Sequence, residues 1–331
     1  MAEKKISIID VAQKAGVSTA TVSRVINKNG GYSKKTEEKV MQTIRECGFT
    51  PNGNAISLRT NRSHSIGVIV PDITNEFFAK IVHELDIFFL KHRYSLLICD
   101  SNEDYQLEDM HIRNLLQKNV DGIVYISGQD EIKNIGNIQS VPVVYIDRCP
   151  QNADVLIHSD NKAGGYLATK ELLKKGCRKI LLMRDLRYAS TIRNRKAGYL
   201  EALEEFGVPY DESLEISIFP EYDQAKEVLE RLLKLSGCYF DGIVTTCDMM
   251  ALACVHVLTK AGYRIPEDVK VAGFDNISLS EFCNPPLTTI TQDTKGMAQC
   301  ADKALLELIR HGEVKQKRTV LPVSLEVRKS T

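Results

Sequence analysis

The chain has 331 residues, 43% of them hydrophobic and 26% charged, with 43 basic and 43 acidic side chains and a pI near 7.0. No apolar run reaches bilayer-spanning length, which excludes a helical membrane protein, and a body of about 270 residues beyond the first sixty is too long for one typical domain. The neutral total conceals an asymmetry: through residue 62 eleven basic side chains stand against five acidic ones, and beyond it 32 against 38, so a head of +6 precedes a body of −6.

Ser7 precedes an apolar run and Asp10 follows three residues on, a capping box with Asp in place of Glu that also complements the helix dipole. A helix is therefore predicted from Ile8, with Ile8, Val11, Ala12 and Ala15 as one apolar stripe and Gly16 as its left-handed stop. Ser18 is a good N-cap for a second helix in which Val22, Val25 and Ile26 face inward, leaving Thr19, Ala20, Ser23, Arg24 and Asn27 outside. Two helices joined by a tight glycine turn are the geometry that sets a second helix in the major groove. An ordinary helical hairpin with a polar face is the competing interpretation, and the +6 head weakens it, because a basic patch supplies the phosphate attraction that DNA binding needs. A third helix is expected over 34–49, KKTEEKVMQTIRECG, ended by Gly48, with Val40, Ile44 and Cys47 closing a small core, and Pro51 follows.

Beyond residue 62 the runs SIGVIVPD, YSLLICD, DGIVYIS and VPVVYID have strand length and alternate with helical patterns at 75–92 and 104–119. The pattern then restarts with KILLM, a helix over 195–207, LEISIF, a helix over 221–236, DGIVTT, a helix over 248–262 and VKVAGFD. Apolar strands alternating with amphipathic helices predict parallel sheets covered on both faces, and two similar halves predict two lobes with a cleft between them. Ligands in such sheets bind beyond the carboxyl ends of the strands. Those ends carry the segment Pro71–Phe78, with Phe77 and Phe78, then Asp147, Arg148 and Asp160, and in the second half Arg195, Phe219, Cys247, Asp248 and Asp275. Carboxylates and guanidinium groups fix hydroxyls while flat rings cover an apolar sugar face, so the mix suits a neutral polyhydroxylated ligand. Each has a blander explanation: Asp248 opens a helix and reads as an N-cap, Phe219 as core, and Arg148 as the partner of a surface acid.

The stretch VAQKAGVSTATVSRVIN followed by PNGNAISLRT resembles the DNA-binding head and hinge of the LacI/GalR family of bacterial transcription regulators. The resemblance continues through GVIVPDITNEFF, YIDR, SDNKAGGYLA, RNRKAGYLEAL and VAGFDNISLSEFCNPPLTTITQD. It implies a small all-α helix-turn-helix head over 1–50, a hinge helix over 51–62, and an α/β periplasmic-binding-protein-like body over 63–331. That body would comprise two doubly wound parallel-sheet lobes, an N-lobe of about 63–160 and 292–320 and a C-lobe of about 161–291. By the same matching, Thr19, Ala20 and Arg24 set operator choice, with Arg24 able to make the bidentate guanine contact. Ser18, Thr21, Ser23, Asn27 and Ser33 touch phosphates, which positions without specifying. In the hinge, Leu58 wedges between central base pairs and Ala55 packs on its twofold mate. In the body, Arg195 and Asp275 hold effector opposite one another, and Phe77, Phe78 and Phe219 wall it in. The chain departs from the family pattern at Ile56, where Arg is common, at Cys247, where Asn usually precedes the Asp, and at Glu76, where many members have Pro.

The expected protein is a homodimer on a pseudo-palindromic double-stranded DNA operator, most simply a repressor of sugar uptake or catabolism genes. Closure of the cleft on a small effector would shift the hinges and couple ligand to operator by roughly 1 to 3 kcal/mol. A purine or a protein corepressor is the alternative effector. An enzyme on the same fold would need phosphate-cradling or nucleophile motifs, and neither G-x-x-x-x-G-K-[ST] nor G-x-S-x-G occurs. An exported sugar-binding protein would need an apolar leader, which MAEKKISIID lacks, so the expected location is the cytoplasm. Nine cysteines with none two residues apart and seven histidines without ligand spacing predict buried free thiols, no metal and no cofactor. The final stretch has no leucine heptads, which favours a dimer over a tetramer.

Overall fold

The computed structural model describes residues 6–49, 62–126, 138, 140–148, 150, 153–187 and 189–331. Two compact units divide at Ser63. The hinge over 51–62, with Ala55 and Leu58, lies outside the described residues apart from Arg62.

The head holds α1 (Ile8–Ala15), α2 (Thr19–Ile26) and α3 (Lys34–Cys47). The capping box forms as the sequence predicts: the Ser7 N–H donates to Asp10 Oδ2 at 2.8 Å and the Asp10 N–H to Ser7 Oγ at 3.4 Å. Gly16 stops α1 at φ +61 and Gly48 stops α3 at φ +62, the left-handed conformation in which glycine carries no Cβ penalty. Val11, Ala12, Ala15, Val22, Val25 and Val40 form the head's core, with Ile8, Ile26 and Ile44 packed at its edge.

The body contains two six-stranded sheets. The first takes β1 (Ser65–Val70), β2 (Ser95–Asp100), β3 (Gly122–Tyr125), β4 (Val143–Ile146), β5 (Leu156–Ser159) and β11 (Arg318–Leu321). The second takes β6 (Ile180–Asp185), β7 (Glu215–Ile218), β8 (Gly242–Thr245), β9 (Lys270–Asp275), β10 (Thr288–Gln292) and β12 (Val323–Glu326). Their orders are β11-β5-β4-β3-β1-β2 and β12-β10-β9-β8-β6-β7. The five leading strands of each lobe therefore repeat one doubly wound order, and its switch point falls between β1 and β3 in one lobe and between β6 and β8 in the other. All pairings are parallel except β10 with β12.

Helices cover both faces of each sheet. In the first lobe α4 (Glu76–Lys91) and the late helix α11 (Thr294–His311) pack on one face over Ile66, Val68 and Val144, while α5 (Tyr105–Gln117) covers Ile69, Ile123 and Tyr125 on the other. In the second lobe α6 (Asn161–Lys174) and α7 (Ser190–Glu205) cover Leu182, Val244 and Phe274, and α8 (Tyr222–Ser236) with α9 (Asp248–Lys260) covers Leu181, Ile243 and Val271. A short α10 (Ser278–Phe282) follows β9.

Several elements differ from the sequence expectation. α7 begins at Ser190 rather than 195, and its N-cap, Ala189, makes no side-chain bond that could mark the start. The C-lobe does not end at 291: β12 returns to the second sheet immediately after β11 completes the first, with only Pro322 between them. The chain thus passes between lobes three times, after β5, after β10 and at Pro322. No helix among the described residues is long and apolar enough to cross a membrane.

Candidate functional site

On the head, Ser18 caps α2 by accepting the Thr21 N–H at 3.1 Å, and its hydroxyl lies 2.9 Å from Thr21 Oγ1. Ser33 caps α3 in the same way through Thr36. Asn27 closes α2, its Nδ2 donating to the Ser23 carbonyl at 2.7 Å. Thr19, Ala20 and Arg24 are exposed on the face that these caps fix, and Thr21, Ser23 and Asn27 are half-buried beside them. The second helix therefore presents short side chains and one guanidinium, the combination that can enter a major groove.

In the body, a cavity of about 450 Å³ opens between the lobes at the carboxyl ends of their strands. Eight of the ten residues expected at the effector site line it: Phe77, Phe78, Asp147 and Arg148 from the first lobe, and Arg195, Phe219, Cys247 and Asp275 from the second. Two do not. Asp160 caps α6, accepting the Ala163 N–H at 3.0 Å, because it precedes the helix by one residue and its carboxylate turns back onto the first turn. Asp248 is fully buried behind the cavity wall, accepting from Ser280 Oγ and Thr289 Oγ1 at 2.6 Å each and from the Ile277 N–H at 3.0 Å. These bonds tie β10 and the start of α10 to α9. Burial raises its carboxyl to about 6 despite them.

Arg195 is 7% exposed and fixed on every side. Its Nε donates to Asn161 Oδ1 at 2.7 Å, one terminal nitrogen donates to the Thr246 carbonyl, the other lies 3.7 Å from Asp275 Oδ1, and the guanidinium stacks 3.6 Å from the centroid of the Phe274 ring. Two glycines make this possible. A Cβ on Gly165 would stand 2.0 Å from the Arg195 carbonyl oxygen, and one on Gly198 2.0 Å from that of Lys162, so α6 and α7 touch backbone to backbone.

Two aspartates from opposite lobes face this one guanidinium. Asp275 also accepts from Gln292 Nε2 at 2.7 Å, and burial pushes its carboxyl up to about 8 against the pull of Arg195. Burial likewise raises Asp147, with Arg195 and Arg148 opposing, and its Oδ1 is a buried acceptor with no hydrogen-bond partner among the described residues. A buried acceptor without a donor costs free energy that a ligand hydroxyl can recover. The Cys247 thiol is pushed by burial up to about 12 and stays protonated.

Other lining residues escaped the sequence analysis. Glu103 accepts from Arg148 Nη1 and Nη2 at 2.7 and 2.9 Å and pairs with Arg187 of the other lobe at 2.7 Å. Burial would raise its carboxyl, but Arg148 and Arg187 outweigh burial and hold it below the usual range. Arg187 is also clamped by Asp185, Nε to both carboxylate oxygens at 3.0 and 2.9 Å. Arg148 accordingly pairs with a half-buried acid of the cleft rather than a surface one, and its guanidinium sits 5.7 Å from the Phe78 ring centroid. Asp185 ends β6 and Glu103 follows β2 by three residues, so the strand-end rule would have found both. Among the described residues no cluster of His, Cys, Asp or Glu could hold a metal ion.

A helical head with an exposed, doubly capped second helix, joined in sequence to a two-lobed body with a polar cleft, defines a ligand-responsive DNA-binding regulator. Residues 7–52 match the family model of lacI-family bacterial regulatory proteins, and residues 169–331 match that of the periplasmic binding protein-like domain. The chain is 33% identical over 325 residues to the ribose operon repressor of Halalkalibacterium halodurans, covering 98% of this chain and 97% of that one. It is 34% identical over 331 residues to the HTH-type transcriptional repressor PurR of Pasteurella multocida, covering 98% of both. Among solved structures, the Lac repressor dimer bound to operator and the anti-inducer ONPF superposes with a TM-score of 0.90 at 27% identity over 99% of each chain. The chain belongs to the lacI family of bacterial transcriptional regulators. It is not an enzyme; it acts by binding DNA and a small molecule.

Proposed function

We propose that this regulator is a homodimeric cytoplasmic repressor of sugar uptake or catabolism genes, released from its operator by a neutral sugar. The observation that carries the effector class is the wall of the cleft, where Arg195, Asp147 and Asp275 line one cavity, Arg195 lies 3.7 Å from Asp275, and Asp147 Oδ1 has no donor among the described residues. Hydroxyls can hydrogen-bond to the two carboxyl groups and accept from the guanidinium. Phe77 and Phe78, packed edge to face with centroids 5.2 Å apart, offer an apolar wall, and Phe219, 41% exposed, offers a ring at the rim. The cavity volume lies in the range that encloses a small ligand. Solved relatives add support: the regulator CelR is in complex with cellobiose, and a LacI-family regulator from Enterococcus faecium has bound ribose. On the head, Thr19, Ala20 and Arg24 would read bases while Ser18, Thr21, Ser23, Asn27 and Ser33 contact phosphates. Ala55 and Leu58 would complete the operator contact from the hinge.

The chain has no Trp, so ligand binding is best followed by thermal unfolding. A panel of pentoses, hexoses, disaccharides, sugar phosphates and purines is screened, and a ligand at 100 times its Kd stabilises by about 2.7 kcal/mol. The expected result is a saturable shift from one neutral sugar, lost in Arg195→Ala. A shift from purines alone, or from no small molecule, would sink the sugar assignment and leave the DNA-binding assignment standing.

A further inference from the structure

A second cross-lobe cluster lies outside the ligand cavity, at Glu76. Glu76 is the first residue of α4, and its Oε1 accepts both the backbone N–H and the hydroxyl of Ser278 at 2.7 Å each. Lys80, one turn along α4, lies 2.7 Å from the same oxygen and donates to the Asn276 carbonyl at 3.4 Å. Asn276 and Ser278 belong to the other lobe, Asn276 directly after β9 and Ser278 as the first residue of α10. That side is itself anchored: Asn276 donates through Nδ2 to Thr291 Oγ1 at 2.9 Å and accepts from Arg328 Nη2 at 2.8 Å.

The chemistry suits a clasp. A carboxylate taking two hydrogen bonds and an ammonium is charge-assisted on every contact. Its neighbours on both sides line the cavity: Asn75 and Phe77 flank Glu76, and Asp275 precedes Asn276. The clasp and the Glu103–Arg187 pair are separate, because they share no residue and use different segments of each lobe. With Pro in place of Glu76 none of the contacts to Ser278 could form.

We propose that Glu76, with Lys80, Ser278 and Asn276, is an intramolecular latch that holds the two lobes together by the protein's own contacts, and that it sets how far the cleft opens independently of which effector binds. Closure is then partly built in, and an effector need supply less of it.

The test is hydrogen exchange on the full-length protein and on Glu76→Pro. Proline is tolerated at the first position of a helix, and Asn75 already has the extended backbone (φ −73, ψ 118) that a following proline requires. The variant should therefore keep α4 while losing the latch. If the latch controls closure, amides at 102–104 and 185–187, which touch neither Glu76 nor Ser278, exchange about three- to tenfold faster, as well as those at 276–280. Faster exchange confined to 75–80 and 276–280, or no change, would overturn the proposal by reducing the cluster to a local contact. Glu76→Ala, which removes every contact of Glu76 to Ser278 and Lys80 without a proline, carries the same test should Glu76→Pro unfold.

Discussion

Gly165 and Arg195 meet through their backbones: a Cβ on the glycine would lie 2.0 Å from the arginine's carbonyl oxygen, with its carbonyl carbon at 2.8 Å. The cleft's central guanidinium is therefore placed by a helix crossing that only a side-chain-free residue allows. Gly165→Ala should separate α6 from α7 and cost about 1 to 3 kcal/mol as overpacking, exceeding the gain of under about 1 kcal/mol that Ala offers a helix. The loss is read as a lower thermal midpoint, accompanied by weakened effector binding. A stability equal to or above that of the parent would show that the crossing can relax.

Asn161 holds Arg195 by accepting from its Nε, and spends its own Nδ2 on the Ser159 carbonyl at 3.1 Å. Asn161→Ala should leave the guanidinium free to tilt and weaken effector binding roughly tenfold, the worth of one charge-assisted hydrogen bond. Asn161→Asp offers an acceptor again and should recover part of the loss. Isothermal titration with whichever sugar the thermal screen identifies would settle it, and equal affinities for all three proteins would refute a positioning role.

Asp275 predicts a pH dependence with a defined sign. Its carboxyl sits at about 8 in the folded protein, above the ordinary value of 3.8, chiefly because it is buried. Between those values the folded state holds a proton that the unfolded state has released, so this group's contribution to stability falls as pH rises from about 4 to 8. Subtracting the midpoint-against-pH curve of Asp275→Asn from that of the parent isolates it. The difference should slope downward across that window, and a flat or rising difference would contradict the burial argument.

Asp248 should behave as a structural residue. Removing it in Asp248→Ala strands the hydroxyls of Ser280 and Thr289 and the Ile277 N–H in a fully buried site, a loss of about 2 to 4 kcal/mol. Denaturant unfolding measures that, and the sugar preference of the folded fraction should be unchanged. A changed preference would return Asp248 to the effector site.

On the head, Arg24→Ala should cost about 1 to 3 kcal/mol against the preferred operator and much less against unrelated duplex DNA. Ser18→Ala, which removes a helix cap worth about 1 kcal/mol, should weaken both together. Selection of binding sites from random DNA, followed by anisotropy at fixed salt, distinguishes these outcomes.

The sequence was most informative where local chemistry decides the structure. Ser7, Gly16, Ser18 and Gly48 mark helix ends by short-range bonds and backbone angle, and all four do so in the structure. Strands buried on both faces announced themselves as apolar runs. β5 did not, because it reads Leu-Ile-His-Ser, and the two adjacent glycines of α6 find their reasons only in tertiary contacts, Gly164 with the Phe274 ring of β9 and Gly165 with the backbone of a helix 30 residues away. The cleft residues at strand ends were legible from the topology rule alone. The fate of Asp248 was not, because its partners Ser280 and Thr289 are brought to it only by tertiary folding. The strand-end rule reaches Glu103, but its pairing with Arg187 was not legible for the same reason, since two residues 84 positions apart meet only in the folded chain.

The tail has a practical consequence. Because β11 and β12 are consecutive strands of different sheets, parted by a single proline, neither lobe is a contiguous segment of the gene. A chimaera that grafts another regulator's C-lobe onto this chain needs three junctions rather than one. A short deletion around Pro322 would remove an edge strand from each sheet at once, damaging both halves of the sensor.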